Sequence, residues 1–564
     1  MKICFSLLVA KWRNYAVFPL LLLLLSAAEP AVSQQPEPFN WAPFDEAPLL
    51  EQLAANDNPR LRFRLINSRH LDKNRLWDPF NQQLADFSEL LYNELKPLIL
   101  EQDIPSLQRA VRAGRLSYEN LVKFYLYRIR LFESDKNMAL NALIALNPDV
   151  VAVARGKDRA VAAGLEVDDY SLFGIPVLLK DNIGTLGMPT TAGAVVMAAN
   201  STADAFITRR LRANGAVILG KANLSEWAYY FCEGCPLGYS AMGGQTLNPY
   251  GRMLIETGGS SSGSAVAVAA NYAAVAVGSE TSGSILSPAS HNALVGLKPT
   301  TGLLSRHGVV PISGTLDTVG PIARTVTDAV ILFNGMVGYD RMDSLMPLLS
   351  VEAGLSPEEA DLAGRRIGYV AGLDSEPLFR DALDVLRAAG AEVLETGLPE
   401  FTLARFGEFL GAEMKRDLAS YLENIAAPAV GVTRVEEIVL FNSVDEESRA
   451  PYGQALFDAM VDMEFSADQV VAMRNEIRTV GAEVLGATID GQQFDVLLSM
   501  NNLHASLAAA ANFPALTLPM GIRGNGEPAG LTLIAPSFAE QTMVAIGLAL
   551  ERLMVERAAP PGYQ

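Results

Sequence analysis

Residues 258–288 read GGSSSGSAVAVAANYAAVAVGSETSGSILSP, crowding serines and glycines around a short apolar run. Such a composition belongs either to a turn-rich linker or to a backbone bent so that chosen hydroxyls meet. The middle of the stretch separates the two. GSAVAVAANY, from Gly263 to Tyr272, suits a helix with a small, polar first turn, and the following AAVAVG suits a strand. Ten helical residues advance about 15 Å, and five strand residues return about 16 Å. A strand running antiparallel to that helix therefore brings Ser260 and Ser284 back to the same end. Two Gly/Ser turns become one candidate site.

The sequence on either side alternates strand and helix in the same way. GIPVLLK (174–180) reads as a short buried strand, ADAFITRRLRANG (203–215) as a helix with a glycine stop, and AVILGK (216–221) as the next strand. Later, RRIGYVAG, EPLFRDALDVLRAAG and AEVLETG make a strand–helix–strand unit. Residues 400–480 are mostly helical. PALTLPMGI and GLTLIAP are two further strands, and a last helix follows from Phe538. This alternation predicts an α/β fold whose sheet is mixed or mostly parallel. Upstream, SLQRAVRAG stops at Gly114, and Ser117 is placed to cap the helix YENLVKFYLYRIRLF.

The chain has 564 residues, half of them hydrophobic and 19% charged, enough to bury a sizeable core. Its start differs from the rest. Lys2, Lys11 and Arg13 precede YAVFPLLLLLLSAA, and Ala31-Val32-Ser33 supplies a small-residue cleavage site. That order is a secretory signal peptide over residues 1–33, and it predicts a periplasmic or secreted protein. The apolar run is short for a membrane span, so no stable span is expected after cleavage. Cys4 is not placed at a cleavage site for lipid attachment. Loss of Lys2, Lys11, Arg13 and Glu29 makes the net charge of −19 more negative by two. Such an acidic chain repels phosphate backbones, which argues against nucleic acid as a partner. Residues 34–104 read as an N-terminal helical extension, polar at first and helical around FSELLYNELKPLIL.

With the leader removed, only Cys232 and Cys235 remain, in FCEGCP. An oxidising compartment allows a local disulfide there. A zinc site would need four ligands, and no second cysteine pair or nearby histidine supplies them. Two loop motifs also arise in the opening stretch. Gly258 and Gly263 have phosphate-loop spacing, but Ser264 and Ala265 follow where Lys and Ser/Thr are required. Gly259-Ser-Ser261-Ser-Gly263 matches the nucleophile elbow of α/β-hydrolases, which would make Ser261 the nucleophile of an esterase. Its base would have to be His291, His307 or His504, whose neighbours otherwise suit packing or hydrogen bonding.

From residue 105 to 558 the ordered motifs carry a stronger resemblance. GIPVLLK180DN, GAVILGKANLSEWA, GGSSSGS, Gly283-Ser284-Ile, GLKPTTGLLSRHGVVPIS and DTVGPIAR (317–324) resemble the amidase signature family in the order of its motifs. GYSAMGGQTLNPY and SETSGSILSPASHNALVGLKPT are most similar to the bacterial peptide amidases within it. The resemblance implies a large mixed β-sheet core surrounded by α-helices. It also implies a Ser–Ser–Lys triad: Ser284 as nucleophile, Ser260 as bridging serine after a cis Gly259–Ser260 bond, and Lys180 as base. The backbone N–H groups of Thr281, Ser282, Gly283 and Ser284 become candidates for the oxyanion hole. Asp317 and Arg324 are expected to form a buried charge arrangement that braces the site. One departure stands out: the family usually has Asp-x-Gly-Gly-Ser-Ile-Arg, whereas this chain has Glu280-Thr-Ser-Gly-Ser-Ile-Leu286.

The chemistry is consistent with the residue types. A serine hydroxyl is a weak nucleophile until a base takes its proton. A lysine is protonated at neutral pH unless burial lowers its pKa, and Lys180 ends the apolar run IPVLL. The expected activity is hydrolysis of a carboxylic amide, in a small molecule or at a peptide C-terminus, to acid plus ammonia or amine. No cofactor or metal is called for. Two other roles compete. A binding protein could keep this fold without catalysis, and the related amidotransferase subunit would need cytosolic partners and tRNA, against the leader and the charge.

Overall fold

The computed structural model describes residues 41–346, 354–554 and 557–564. The signal-peptide reading and residues 34–40 of the extension lie outside the described residues. Thirteen strands are described: β1 (Leu143–Leu146), β2 (Pro176–Lys180), β3 (Val217–Ala222), β4 (Tyr239–Ser240), β5 (Gly244–Gln245), β6 (Val275–Glu280) and β7 (Val295–Lys298), then β8 (Thr318–Ala323), β9 (Arg366–Val370), β10 (Glu392–Thr396), β11 (Val496–Met500), β12 (Ala515–Ile522) and β13 (Pro528–Ile534). Eleven of them form one sheet in the order β1-β3-β2-β6-β8-β7-β12-β13-β11-β9-β10. β4 and β5 make a separate two-stranded ribbon.

The sheet is mixed. β2 pairs parallel with β3 and β6, and β9 pairs parallel with β10 and β11. The strands between these two parallel groups are antiparallel. The mostly parallel alternative is thereby set aside. β2, β3, β6, β7, β8 and β13 are buried along their whole length, as expected when helices cover both faces of a sheet. Among the described residues, no helix is long and apolar enough to cross a membrane.

Some helices open on a side-chain cap that the sequence supplies. Ser117 accepts a hydrogen bond from Asn120 N and opens the helix Tyr118–Glu133. Ser466 and Gln469 form a reciprocal capping box that starts the helix Ala467–Ile489. Within the opening stretch, the helix is Ser262–Ala269 and the strand is β6. The helix is made of small residues and is buried on every side, so it packs against its neighbours at close range.

Register explains why chemistry gathers at one edge of the sheet. Leu179 pairs with Val277, and Glu280 pairs with Thr318. The C-terminal ends of β2 and β6 therefore meet the N-terminal start of β8. Lys180, Ser279 and Asp317 all reach that edge.

Candidate active site

Lys180 is the last residue of β2 and has no exposed surface. Its Nζ lies 2.7 Å from Ser260 Oγ, 2.9 Å from Ser279 Oγ and 3.0 Å from the Ser279 carbonyl. Burial lowers its pKa to about 7, with Asp317 and Glu280 pulling the other way. Near neutral pH a large share of this lysine is the free amine. A neutral amine donates two hydrogen bonds and accepts one, so it can take a proton from a neighbouring hydroxyl.

Ser260 follows a cis peptide bond from Gly259 and is fully buried. Its carbonyl accepts from Ser225 N at 3.0 Å. The helix–strand excursion is stitched together at its open end. Ser261 Oγ donates to Ser279 O at 3.1 Å and accepts from Ser279 N at 3.2 Å, while Ser261 N donates to Ser284 O at 3.1 Å. Ser264 Oγ donates to Val277 O. Ser260 and Ser284 are thus held in adjoining loops, at the same end as Lys180. The Ser284 side chain is part-exposed, and its hydroxyl makes no hydrogen bond to another described residue. Catalytic hydrogen bonds commonly tighten only once substrate is seated.

The loop that carries Ser284 is pinned from both sides. Gly283 has φ +91°, a conformation that L side chains rarely adopt, and turns the chain directly before Ser284. Glu280 Oε2 accepts from Ile285 N at 2.6 Å and Leu286 N at 3.0 Å. Glutamate thus holds the N–H groups that open the helix Leu286–His291, at the position where the family usually has aspartate. No turn or loop hydrogen bond among the described residues consumes the N–H groups of Thr281, Ser282, Gly283 or Ser284. They stay the candidates for binding a developing oxyanion.

Ser279 and Asn182 are the site residues that the sequence reading missed. Ser279 shares its hydroxyl between Lys180 and Asn182 Nδ2, the latter at 2.9 Å. What brings them to Lys180 is the parallel pairing of β2 with β6, which sets the end of one strand beside the end of the other and is seen only in the folded sheet.

A cleft of about 420 Å³ reaches this edge of the sheet. Asn182, Ser279, Thr281 and Asp317 stand on its wall, whereas Lys180, Ser260 and Ser284 do not. Asp317 and Arg324 do not form a joint charge arrangement. They flank β8 at opposite ends, about 20 Å apart along a strand of that length. Asp317 takes hydrogen bonds from Thr281 Oγ1, Ile312 N and Ser313 N, and desolvation raises its pKa to about 6. Arg324 instead donates to the carbonyls of Val268, Ala273 and Gln102.

The elbow reading of Ser261 finds no base. His291 Nδ1 contacts Ser287 O, His504 Nδ1 contacts Ser499 Oγ, and His307 lies 3.5 Å from Asp340. Cys232 and Cys235 are joined in a disulfide. They pack with Trp227, Phe231 and Phe457, and line a small pocket with Tyr239 and Tyr452 rather than the cleft.

Comparison with known proteins gives the family of the chain. The family model for amidases matches residues 120–466. A probable amidase of Arabidopsis thaliana is 35% identical over 481 residues, 82% of this chain and 92% of that protein. The crystal structure of an amidase family protein from Bacillus anthracis superposes with a TM-score of 0.82 at 34% identity, over 88% of this chain and 99% of that one. The native peptide amidase of Stenotrophomonas maltophilia gives a TM-score of 0.77 at 36% identity, over 82% and 98%. The chain belongs to the amidase family. It is a hydrolase of amide C–N bonds, on the large mixed sheet that the sequence leads one to expect.

Proposed function

We infer that this enzyme cleaves carboxylic amides through an acyl-serine intermediate, with the C-terminal amide of a peptide as its substrate class. The observation that carries the mechanism is the buried contact between Lys180 Nζ and Ser260 Oγ at 2.7 Å. The similarity to the peptide amidase supports the substrate class. Neutral Lys180 takes the Ser260 proton as Ser260 takes the Ser284 proton. Ser284 Oγ then bonds to the amide carbon, and the N–H groups of residues 281–284 receive the oxyanion. Collapse breaks the C–N bond, and the proton held by Lys180 returns through Ser260 to the leaving nitrogen. Water then gives its proton to the same relay and its oxygen to the acyl carbon, releasing the acid and restoring Ser284. The leader-like start and the disulfide support a periplasmic or secreted enzyme.

Labelling the mature protein with a fluorophosphonate and mapping the adduct tests the assignment. A single adduct on Ser284, with turnover of a peptide amide lost in Ser284→Ala and the circular dichroism spectrum unchanged, is the expected result. Full activity in purified Ser284→Ala would sink it, and an adduct on Ser261 would restore the elbow reading.

A further inference from the structure

The sequence marks Asp317 as a brace and Thr281 as an oxyanion-loop residue, and the structure joins them. Thr281 Oγ1 donates to Asp317 Oδ1 at 2.6 Å. The other oxygen, Oδ2, accepts from Ile312 N at 2.8 Å and Ser313 N at 2.9 Å. One carboxylate thereby ties the loop in front of Ser284 to the 311–317 segment that walls the cleft. Ser313 N and Ile312 N fix the carboxylate, and the carboxylate fixes the Thr281 side chain. With the side chain anchored, the direction of the Thr281 N–H is set as well.

We propose that Asp317 is a positioning residue for acyl transfer, acting through Thr281 to hold the oxyanion loop against the cleft wall. The inference rests on the acyl-serine reading above. A carboxylate beside an oxyanion hole would oppose the developing charge if it were bare. Here three donors occupy it, and Lys180 and Arg306 lie within its field. The cost of its charge is offset, and the gain is a donor set oriented before substrate arrives.

The test uses the rate of Ser284 phosphonylation by a fluorophosphonate, together with kcat and KM on a peptide amide. Thr281→Val keeps the shape of the side chain and removes only the link. It is expected to lower the phosphonylation rate and kcat about tenfold with KM little changed, because the loss falls on the transition state. Thr281→Ser, which restores the hydroxyl, recovers the rate to within about threefold of the parent. Asp317→Asn loses about thirtyfold, since its amide cannot accept from all three donors. The double variant Thr281→Val/Asp317→Asn is no slower than Asp317→Asn alone, the mark of residues acting as one unit. Independent, multiplying losses would overturn the proposal, as would a parent-like rate in Thr281→Val or a change confined to KM. Should Asp317→Asn fail to fold, the Thr281 pair still decides. A parent protein that gives no adduct on Ser284 overturns the acyl-serine reading itself, and this proposal with it.

Discussion

A lysine amine kept out of water is the most expensive group in this site, and its cost has a sign that can be measured. Lys180 is wholly buried, and its pKa falls from 10.5 to about 7 because the charged form is poorly solvated there. The folded state therefore binds fewer protons than the unfolded state between about pH 7 and pH 10.5. Stability rises with pH across that window, and the penalty is largest at its acidic end. Lys180→Met, an unbranched replacement without charge, removes this dependence. The stability of the parent relative to Lys180→Met is expected to improve by roughly 3 to 4 kcal/mol between pH 7 and pH 10. Urea denaturation of both proteins at the two pH values measures it. A difference that does not change with pH would show that Lys180 is charged in the folded protein, and the base role would fall. Lys180 was read from its place in the ordered motifs that resemble the amidase signature family, and the apolar run that ends on it made a lowered pKa plausible. Ser279 and Asn182 were not, because their role depends on which strands pair, and one sequence carries no direct record of pairing.

At the scale of elements, the excursion from Ser260 to Ser284 was read with the correct order of helix and strand, their return to the same end, and approximate length. Its details shift for physical reasons. The helix ends at Ala269, earlier than expected, because the chain must turn back at Asn271, which takes φ +56°. The strand starts at Val275 and runs on to Glu280, beyond the apolar letters that suggested it. That extension is what carries Ser279 alongside Lys180. The tightest point of the excursion is Gly263. A Cβ there would lie 2.4 Å from Ala142 O and 2.5 Å from both N and O of Asn223, all backbone atoms that cannot move aside cheaply. Gly263→Ala is expected to cost about 3 kcal/mol or more, by forcing the helix away from β3. Because Ser260 sits three residues upstream, kcat should fall in the same variant. Parent-like stability and turnover in Gly263→Ala would mean that the helix is not held as close as described. The long helical region from 400 to 480 was read only as helical, although the local Ser466–Gln469 capping box lies within it. The left-handed Arg405 precedes the helix Phe406–Asn424.

Across the whole molecule, the segment before residue 105 is bound into the same core as the catalytic sheet. Trp77, Phe80, Phe87 and Tyr92 share one buried cluster with Val177, Val277 and Leu297. Polar contacts reach further toward the site. Ser68 Oγ donates to Ala241 O, and Ile66 O accepts from Gln245 N, so the segment clasps the β4–β5 ribbon. Glu101 N donates to Asn271 Oδ1 and Glu101 Oε1 accepts from Asn271 Nδ2, which holds the turn at the closed end of the excursion. Arg128, fully buried, donates to Tyr92 OH, Ala270 O and the carbonyl of Tyr563, joining the segment before residue 105 and the C-terminal tail to that same turn. The sequence led one to expect a helical extension packed on the main body but not the surfaces it docks on, since those exist only once the sheet has folded. Burying four such aromatic side chains is worth on the order of 10 kcal/mol in transfer free energy, comparable with the whole net stability of a typical protein. Removing them also leaves Arg128 short of one buried partner. A protein starting at residue 105 is therefore expected to be insoluble, or to lack a cooperative thermal transition, when expressed beside one starting at residue 34. A soluble 105–564 protein with the parent melting temperature and activity would reduce the segment to an appendage, and would require the turn at Asn271 to hold the site without it.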